Sequence, residues 1–144
     1  MKVVVMIKGS GADEDKIAPT EERLSQMGAY NEELVKAGIM LDGQGLHPSN
    51  KGTQVVFEGG ETSVVDGPFT ESKEIVAGYW IWQVSSIEEA VEWAKRCPTD
   101  QQYGHRQVLE IRPIFTDEDF GAEYTDELRE RDARLTEEIK AQHG

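Results

Sequence analysis

The chain has 144 residues, enough for one compact domain with a buried core and too few for two ordinary ones. Asp and Glu total 28 against 15 Lys and Arg, and the resulting net charge of −13 argues against unassisted binding to nucleic acid or to an anionic membrane. A single cysteine forms no internal disulfide, and no Cys/His cluster has zinc-site spacing. We therefore expect a cytoplasmic protein without metal or cofactor.

The first half of the chain predicts a strand, a helix, a second strand and a hairpin. The apolar run at residues 3–7 is typical of a central strand. The helix begins near Pro19 and ends at Gly38. Its apolar residues recur at three- and four-residue spacing: Leu24, Met27, Tyr30, Leu34 and Val35. Residues 39–47 predict a strand, and residues 53–65 predict a hairpin about a glycine pair.

The second half predicts two further strands, a helix between them and a tail. The strands cover residues 75–84 and 108–114, and Pro98 ends the helix between them. Residues 117–144 hold ten acidic and four basic side chains, a net charge of −6, which is typical of a solvated helical appendage. A narrow apolar stripe on that tail helix is formed by Phe120, Tyr124, Leu128, Leu135 and Ile139.

The order of these elements predicts an α+β fold of the ferredoxin-like, split β-α-β type. Two helices alternate with an antiparallel, hairpin-bearing sheet and must lie on one of its faces. The strand at residues 75–84 is apolar on both faces, so its other face also needs cover. We therefore expect a homodimer in which two copies pack sheet to sheet and leave a cleft for a small molecule.

A longer motif gives a family resemblance. Residues 64–74, Val-Val-Asp-Gly-Pro-Phe-Thr-Glu-Ser-Lys-Glu, followed by Gly78-Tyr79, resemble the signature of the DGPF-type YCII-related domains. The likeness covers roughly residues 1–115 and leaves residues 116–144 as an acidic C-terminal helical extension.

The resemblance implies a dimeric α+β barrel in small bacterial cytosolic proteins with no settled activity. It also implies a possible regulatory link to extracytoplasmic-function sigma factors. One branch of the family is suspected of catalysis by a His–Asp pair whose Asp lies in an acidic-Pro motif after the second helix. Here that position is occupied by Arg96-Cys97-Pro98, so that pair does not transfer.

His47 and Asp66 are the candidate catalytic residues. Each lies at the end of a predicted strand, and an imidazole beside a carboxylate titrates near neutral pH and can transfer a proton. The alternative is structural: His47 is then a surface-loop histidine, and Asp66 forms a turn whose Phe69 plugs the core.

Six further residues are candidates for ligand binding. Glu71 and Lys73 follow the Asp-Gly-Pro-Phe turn and would act beside Asp66. Trp80 and Trp82 share one face of their strand, where they either stack on a planar ligand or pack in the core or dimer interface. Glu110 and Arg112 share a face of the last strand and either orient a polar ligand or form a surface pair.

Three functions remain open at this point. The first is a non-catalytic module that binds a small molecule in the cleft beside the sheet and whose acidic tail meets a partner. The second is a small-molecule enzyme of lyase or isomerase type that uses the His47–Asp66 pair without a cofactor. The third is a dimer whose tail helix only braces the partner subunit.

Overall fold

The computed structural model describes residues 1–9, 20–69, 75–99 and 106–144. These residues form two compact units, Met1–Pro113 and Ile114–Gly144. In chain order the elements are β1 (Lys2–Gly9), α1 (Glu21–Lys36), β2 (Met40–Gly45), a 3₁₀ turn (Ser49–Lys51), β3 (Thr53–Glu58), β4 (Glu61–Asp66), β5 (Ile75–Gln83), α2 (Ile87–Ala94), β6 (Val108–Pro113), a 3₁₀ segment (Asp117–Glu123) and α3 (Asp126–His143).

The main sheet has four strands in the order β2-β5-β1-β6. The central strand β1 pairs antiparallel with β5 on one side and with β6 on the other, and β2 pairs antiparallel with β5. Two interleaved β-α-β units with this strand order make the ferredoxin-like arrangement. The predicted α+β fold class is confirmed.

The strands β3 and β4 form the predicted hairpin, but as a separate two-stranded sheet. Thr53 pairs with Asp66 at the open end, and the closing turn is made by Gly59 and Gly60 with φ angles of 59° and 78°. Two consecutive positive φ angles suit the tight turn that joins twisted antiparallel strands. The sequence pattern identified the hairpin, whereas the expectation that it belongs to the main sheet is wrong. The intervening segment, with Pro48 and the 3₁₀ turn, interrupts the pairing.

One face of the main sheet carries the core. Val3 pairs with Trp82 and Val5 with Trp80, so these four side chains lie on the same face and all are buried. Both helices bury apolar residues against this face, α1 through Leu34 and α2 through Ala90. The other face of the sheet receives neither helix.

Hydrogen bonds join the helices to each other and to the sheet. Tyr30 Oη of α1 donates to the Trp93 carbonyl of α2 at 2.6 Å. Trp80 Nε1 of β5 donates to Asn31 Oδ1 of α1 at 2.9 Å. Each bond satisfies a polar atom of a side chain that is otherwise packed among apolar groups. The two bonds therefore help to fix the positions of the helices relative to each other and to the sheet.

The predicted stripe of α1 is partly wrong. Tyr30 and Leu34 are buried and Met27 packs against the core, but Leu24 and Val35 are 64% and 60% exposed. A single buried face of a helix holds positions three or four apart, and Val35 directly follows Leu34, about 100° further around the helix. Leu24 lies in the first turn, beyond the part of α1 that contacts the core.

The second unit is not one continuous helix. Gly121 has φ 65° and ψ −151°, which kinks the 3₁₀ segment, and α3 begins only after its N-cap, Thr125. Phe120 stacks on Phe115 at 5.0 Å between ring centroids, and it meets Tyr124 in a tilted arrangement at 5.3 Å. The tail stripe predicted from Phe120 to Ile139 is therefore wrong in its first part, because these aromatic rings pack on one another before α3 starts.

Candidate functional site

The Asp-Gly-Pro-Phe segment folds back onto the 3₁₀ turn that precedes β3. Thr53 Oγ1 donates to Asp66 Oδ1 at 3.2 Å, and the Gly67 amide donates to the Gly52 carbonyl at 2.9 Å. The Phe69 amide donates to the hydroxyl of Ser49, which is buried, at 3.0 Å. Asp66 therefore closes the open end of the hairpin, and this geometry favours the structural interpretation of the motif.

His47 lies on an exposed segment between β2 and the 3₁₀ turn. No hydrogen bond joins His47 to Asp66, whose carboxylate accepts from Thr53. The structure therefore does not bring the candidate catalytic residues together as a hydrogen-bonded acid/base pair. Glu71 and Lys73, the two candidates beside them, lie outside the described residues.

Trp80 and Trp82 are core residues. They are 3% and 0% exposed, their ring centroids lie 5.7 Å apart, and Trp80 meets Tyr30 edge-to-face at 5.9 Å. A ligand could stack on these rings only by displacing the helices that cover them. The ligand-binding interpretation of the two indoles is therefore wrong, and the packing alternative describes them.

The opposite face of the sheet carries a central apolar stripe with charged residues at one side. Its apolar part consists of Val4, Met6, Tyr79 and Ile81, which pair across β1 and β5 and are partly exposed. On β6, Glu110 pairs with Met6 and Arg112 with Val4, so both charged side chains belong to this open face.

An ion pair lies on this open face. Lys8 Nζ is 3.3 Å from Glu110 Oε1, and the Lys8 side chain is only 16% exposed. The partner of Glu110 is thus on the neighbouring strand rather than Arg112 on its own strand. The sequence analysis does not predict Lys8 as a site residue. The signal that could have identified it is its position as a charged residue at the end of the apolar run at residues 3–7. Together Lys8, Glu110 and Arg112 are able to orient a polar ligand against the apolar stripe.

Cys97, which follows α2, is not activated as a nucleophile. Burial raises the pKa of its thiol from the usual 9.0 to about 11. The thiol is therefore neutral near pH 7, and a neutral thiol is a weak nucleophile. Among the described residues, no group of three or more His, Cys, Asp or Glu side chains is placed to hold a metal ion.

The stability of the protein is expected to fall at alkaline pH. Burial raises the pKa of Cys97 to about 11, and burial, together with the nearby Cys97, raises the pKa of Tyr30 far above 10.0. Each group binds its proton more tightly in the native than in the unfolded state, so its contribution is complete below its unfolded pKa. It is lost as the pH rises toward the native pKa, from about pH 9 for Cys97 and about pH 10 for Tyr30.

The free energy of unfolding should drop by at most about 1.4 kcal/mol per pH unit for each group, and by less for Cys97, which keeps solvent contact. Urea denaturation between pH 8 and pH 11 measures this slope. The double variant Tyr30→Phe/Cys97→Ala should flatten the profile, and an unchanged slope in that variant would contradict the assignment.

The fold and the open face define a ferredoxin-like α+β domain with helices on one side of its sheet. The family model of the YCII-related domain matches residues 1–115, most of the chain, so the protein belongs to the YCII-related domain family. An uncharacterized protein of Rhizobium meliloti (strain 1021) is 31% identical over 75 residues, which is 52% of this chain. The chain spans about 60% of the length of this curated relative.

The helices of the described residues include none that is long and apolar enough to cross a membrane.

Proposed function

We propose that this chain is a small-molecule-binding domain that works as a homodimer, with the open face of the sheet at the subunit interface. The observation that carries the proposal is the character of that face, where Val4, Met6, Tyr79 and Ile81 form a continuous apolar stripe. The helices that would cover such a stripe lie on the other side of the sheet. A second copy related by a twofold axis offers the same stripe in return and covers it without a further component.

The ligand cleft of this proposal lies where the apolar stripe meets the charged residues of β6. Lys8 and Glu110 form an ion pair that is largely shielded from solvent on the lysine side, and Arg112 stands two residues further along the same strand. Two facing sheets would exclude water from such a cluster, which strengthens its interaction with a polar ligand. The proposed ligand is thus a small polar molecule with some apolar surface.

The dimer is tested by Ile81→Asp. A carboxylate in the middle of the apolar stripe must lose its water when two sheets meet, so we expect the dimer dissociation constant to rise at least about a hundredfold. Sedimentation velocity over nanomolar to micromolar concentrations measures it. The matched control is Val35→Asp, which adds the same charge to an exposed position of α1 and should leave the dissociation constant unchanged.

Two results would overturn the dimer proposal. One is a wild-type chain that remains monomeric at micromolar concentration. The other is an Ile81→Asp variant that keeps wild-type helicity by circular dichroism and dimerises as tightly as the wild type.

The enzymatic alternative has no comparable support, because Asp66 is engaged by Thr53 and no hydrogen bond joins it to His47. His47→Ala is therefore expected to leave ligand binding and dimer formation intact. The proposal places the dimer in the cytoplasm, where the single cysteine stays reduced. A bracing role for the acidic tail and a link to a sigma factor remain predictions.

A further inference from the structure

A cavity of about 460 Å³ lies on the helix-bearing side of the sheet, opposite the open face. Its floor is made by the last strand through Leu109 and Ile111, and its walls by Met27 of α1 and Val91 of α2. This volume falls within the range of small-molecule sites, roughly 300–1,000 Å³. The cavity and the open face share β6, but Leu109 and Ile111 line the cavity, whereas Glu110 and Arg112 belong to the open face.

The charges at this cavity differ in sign from those of the chain as a whole. Arg23 and Lys95 line it, and none of the described lining residues is acidic. The chain as a whole carries a net charge of −13, whereas the charged residues among the described lining of this cavity are both cationic. An apolar wall with cationic residues beside it is complementary to a molecule that has an apolar body and a single negative charge.

Lys95 is available to such a ligand at small cost. Its Nζ lies 3.1 Å from Glu92 Oε1, but both side chains are mostly exposed. An exposed pair of this kind contributes about 0–1 kcal/mol, so exchanging Glu92 for a ligand carboxylate changes little in the free protein.

We propose that this cavity binds an organic monoanion with an apolar body, of the class of medium-chain or aryl carboxylic acids. The apolar body lies against Met27, Leu109 and Ile111, and the carboxylate meets Lys95 and Arg23. Binding is non-covalent. The site is separate from the cleft proposed at the open face and does not depend on dimer formation.

The chain contains its own reporter of occupancy. Cys97 lines the cavity and is the single cysteine of the protein, so alkylation by N-ethylmaleimide reports on this site alone. Octanoate is the probe, and 1-octanol is its uncharged counterpart of the same chain length. At pH 7.5, where maleimides are selective for thiols, octanoate is expected to slow alkylation of Cys97 in a saturable way, at a half-protecting concentration about tenfold below that of 1-octanol.

Two pairs of variants test the apolar body and the charge. Val91→Trp fills the cavity and should abolish protection, whereas Val35→Trp, on an exposed part of α1, should retain it. Lys95→Gln should raise the half-protecting concentration of octanoate about threefold and leave that of 1-octanol unchanged. Lys140→Gln is the matched control, because Lys140 also forms an exposed pair with a glutamate three residues away, but on α3.

The proposal is overturned if octanoate gives no protection, if Val91→Trp with native circular dichroism is protected like the wild type, or if Lys95→Gln and Lys140→Gln have equal effects. If Val91→Trp does not fold, the lysine pair decides. Protection that persists in the monomeric Ile81→Asp variant would confirm that the cavity acts apart from the dimer cleft. Protection lost in that variant would overturn the independence of the two sites.

Discussion

Replacing Trp82 with alanine is expected to lower the free energy of unfolding by about 4 kcal/mol, the range found when a buried tryptophan is truncated. Trp82 is fully buried and stands at the centre of the core, against Val3 on β1 and Trp80 on its own strand. Its removal leaves a cavity between two strands and two helices, which cannot all move inward together. Urea denaturation followed by circular dichroism measures the loss.

The phenylalanine variants of the two core tryptophans separate packing from hydrogen bonding. Trp80 Nε1 donates to Asn31 Oδ1, whereas Trp82 Nε1 is buried and has no hydrogen-bond partner among the described residues. Trp80→Phe breaks a bond and leaves the Asn31 oxygen unpaired, but Trp82→Phe removes a donor that was already unsatisfied. We expect Trp82→Phe to cost about 1–2 kcal/mol less than Trp80→Phe. Equal losses would show that the indole N–H of Trp82 has a hydrogen-bond partner in solution.

Gly67→Ala is expected to cost about 3 kcal/mol, because its β-carbon has no room. A methyl group at Gly67 would lie 1.7 Å from the Ser49 carbonyl oxygen and 2.7 Å from its carbon, and both atoms belong to the backbone. The backbone at Gly67 must therefore move away from the 3₁₀ turn, and this movement also breaks the hydrogen bond from the Gly67 amide to the Gly52 carbonyl. Urea denaturation gives the loss of stability, and limited proteolysis of the hairpin shows where the structure opens.

The control for Gly67 is Gly45→Ala at the end of β2. A β-carbon there meets no other atom within 4 Å, so the change should be nearly neutral. If the two variants are equally stable, the Asp-Gly-Pro-Phe turn is not packed against the 3₁₀ turn as the structure has it. Because the contact is purely steric, Gly67→Ser should be at least as damaging as Gly67→Ala.

The locations of the helices and strands could be predicted because each rests on local chemistry. The run at residues 3–7 is apolar and rich in β-branched side chains, and the glycine pair at 59 and 60 allows the positive φ angles of a hairpin turn. The sequence predicts that the second helix runs to Pro98, but it ends at Ala94. These signals lie within a few residues of the element they define. The hairpin strands differ from the predicted bounds by one residue at most.

The candidate site could be predicted only in part, because its members come from different strands. The sequence predicts Glu110 as a site residue, but its partner Lys8 is 102 positions away and is brought near by the register of β1 against β6. His47 follows β2 and Asp66 ends β4, and the pairing of β3 with β4 places Asp66 against Thr53 instead of His47. Register and turn packing are properties of the folded chain, and a pattern of residue types does not encode them.

By itself, the sequence determined the fold class, the alternation of side chains along β5 and the resemblance to the YCII-related domain family. Local propensity, the two-residue period of a strand and a short motif all depend on neighbouring residues. Only the tertiary structure decided that Trp80 and Trp82 face the helices, that Lys8 is the partner of Glu110, and that a cavity with Arg23 and Lys95 lies beside α1 and α2. Each of these depends on which face of the sheet the helices cover, and that choice is made by packing between distant segments.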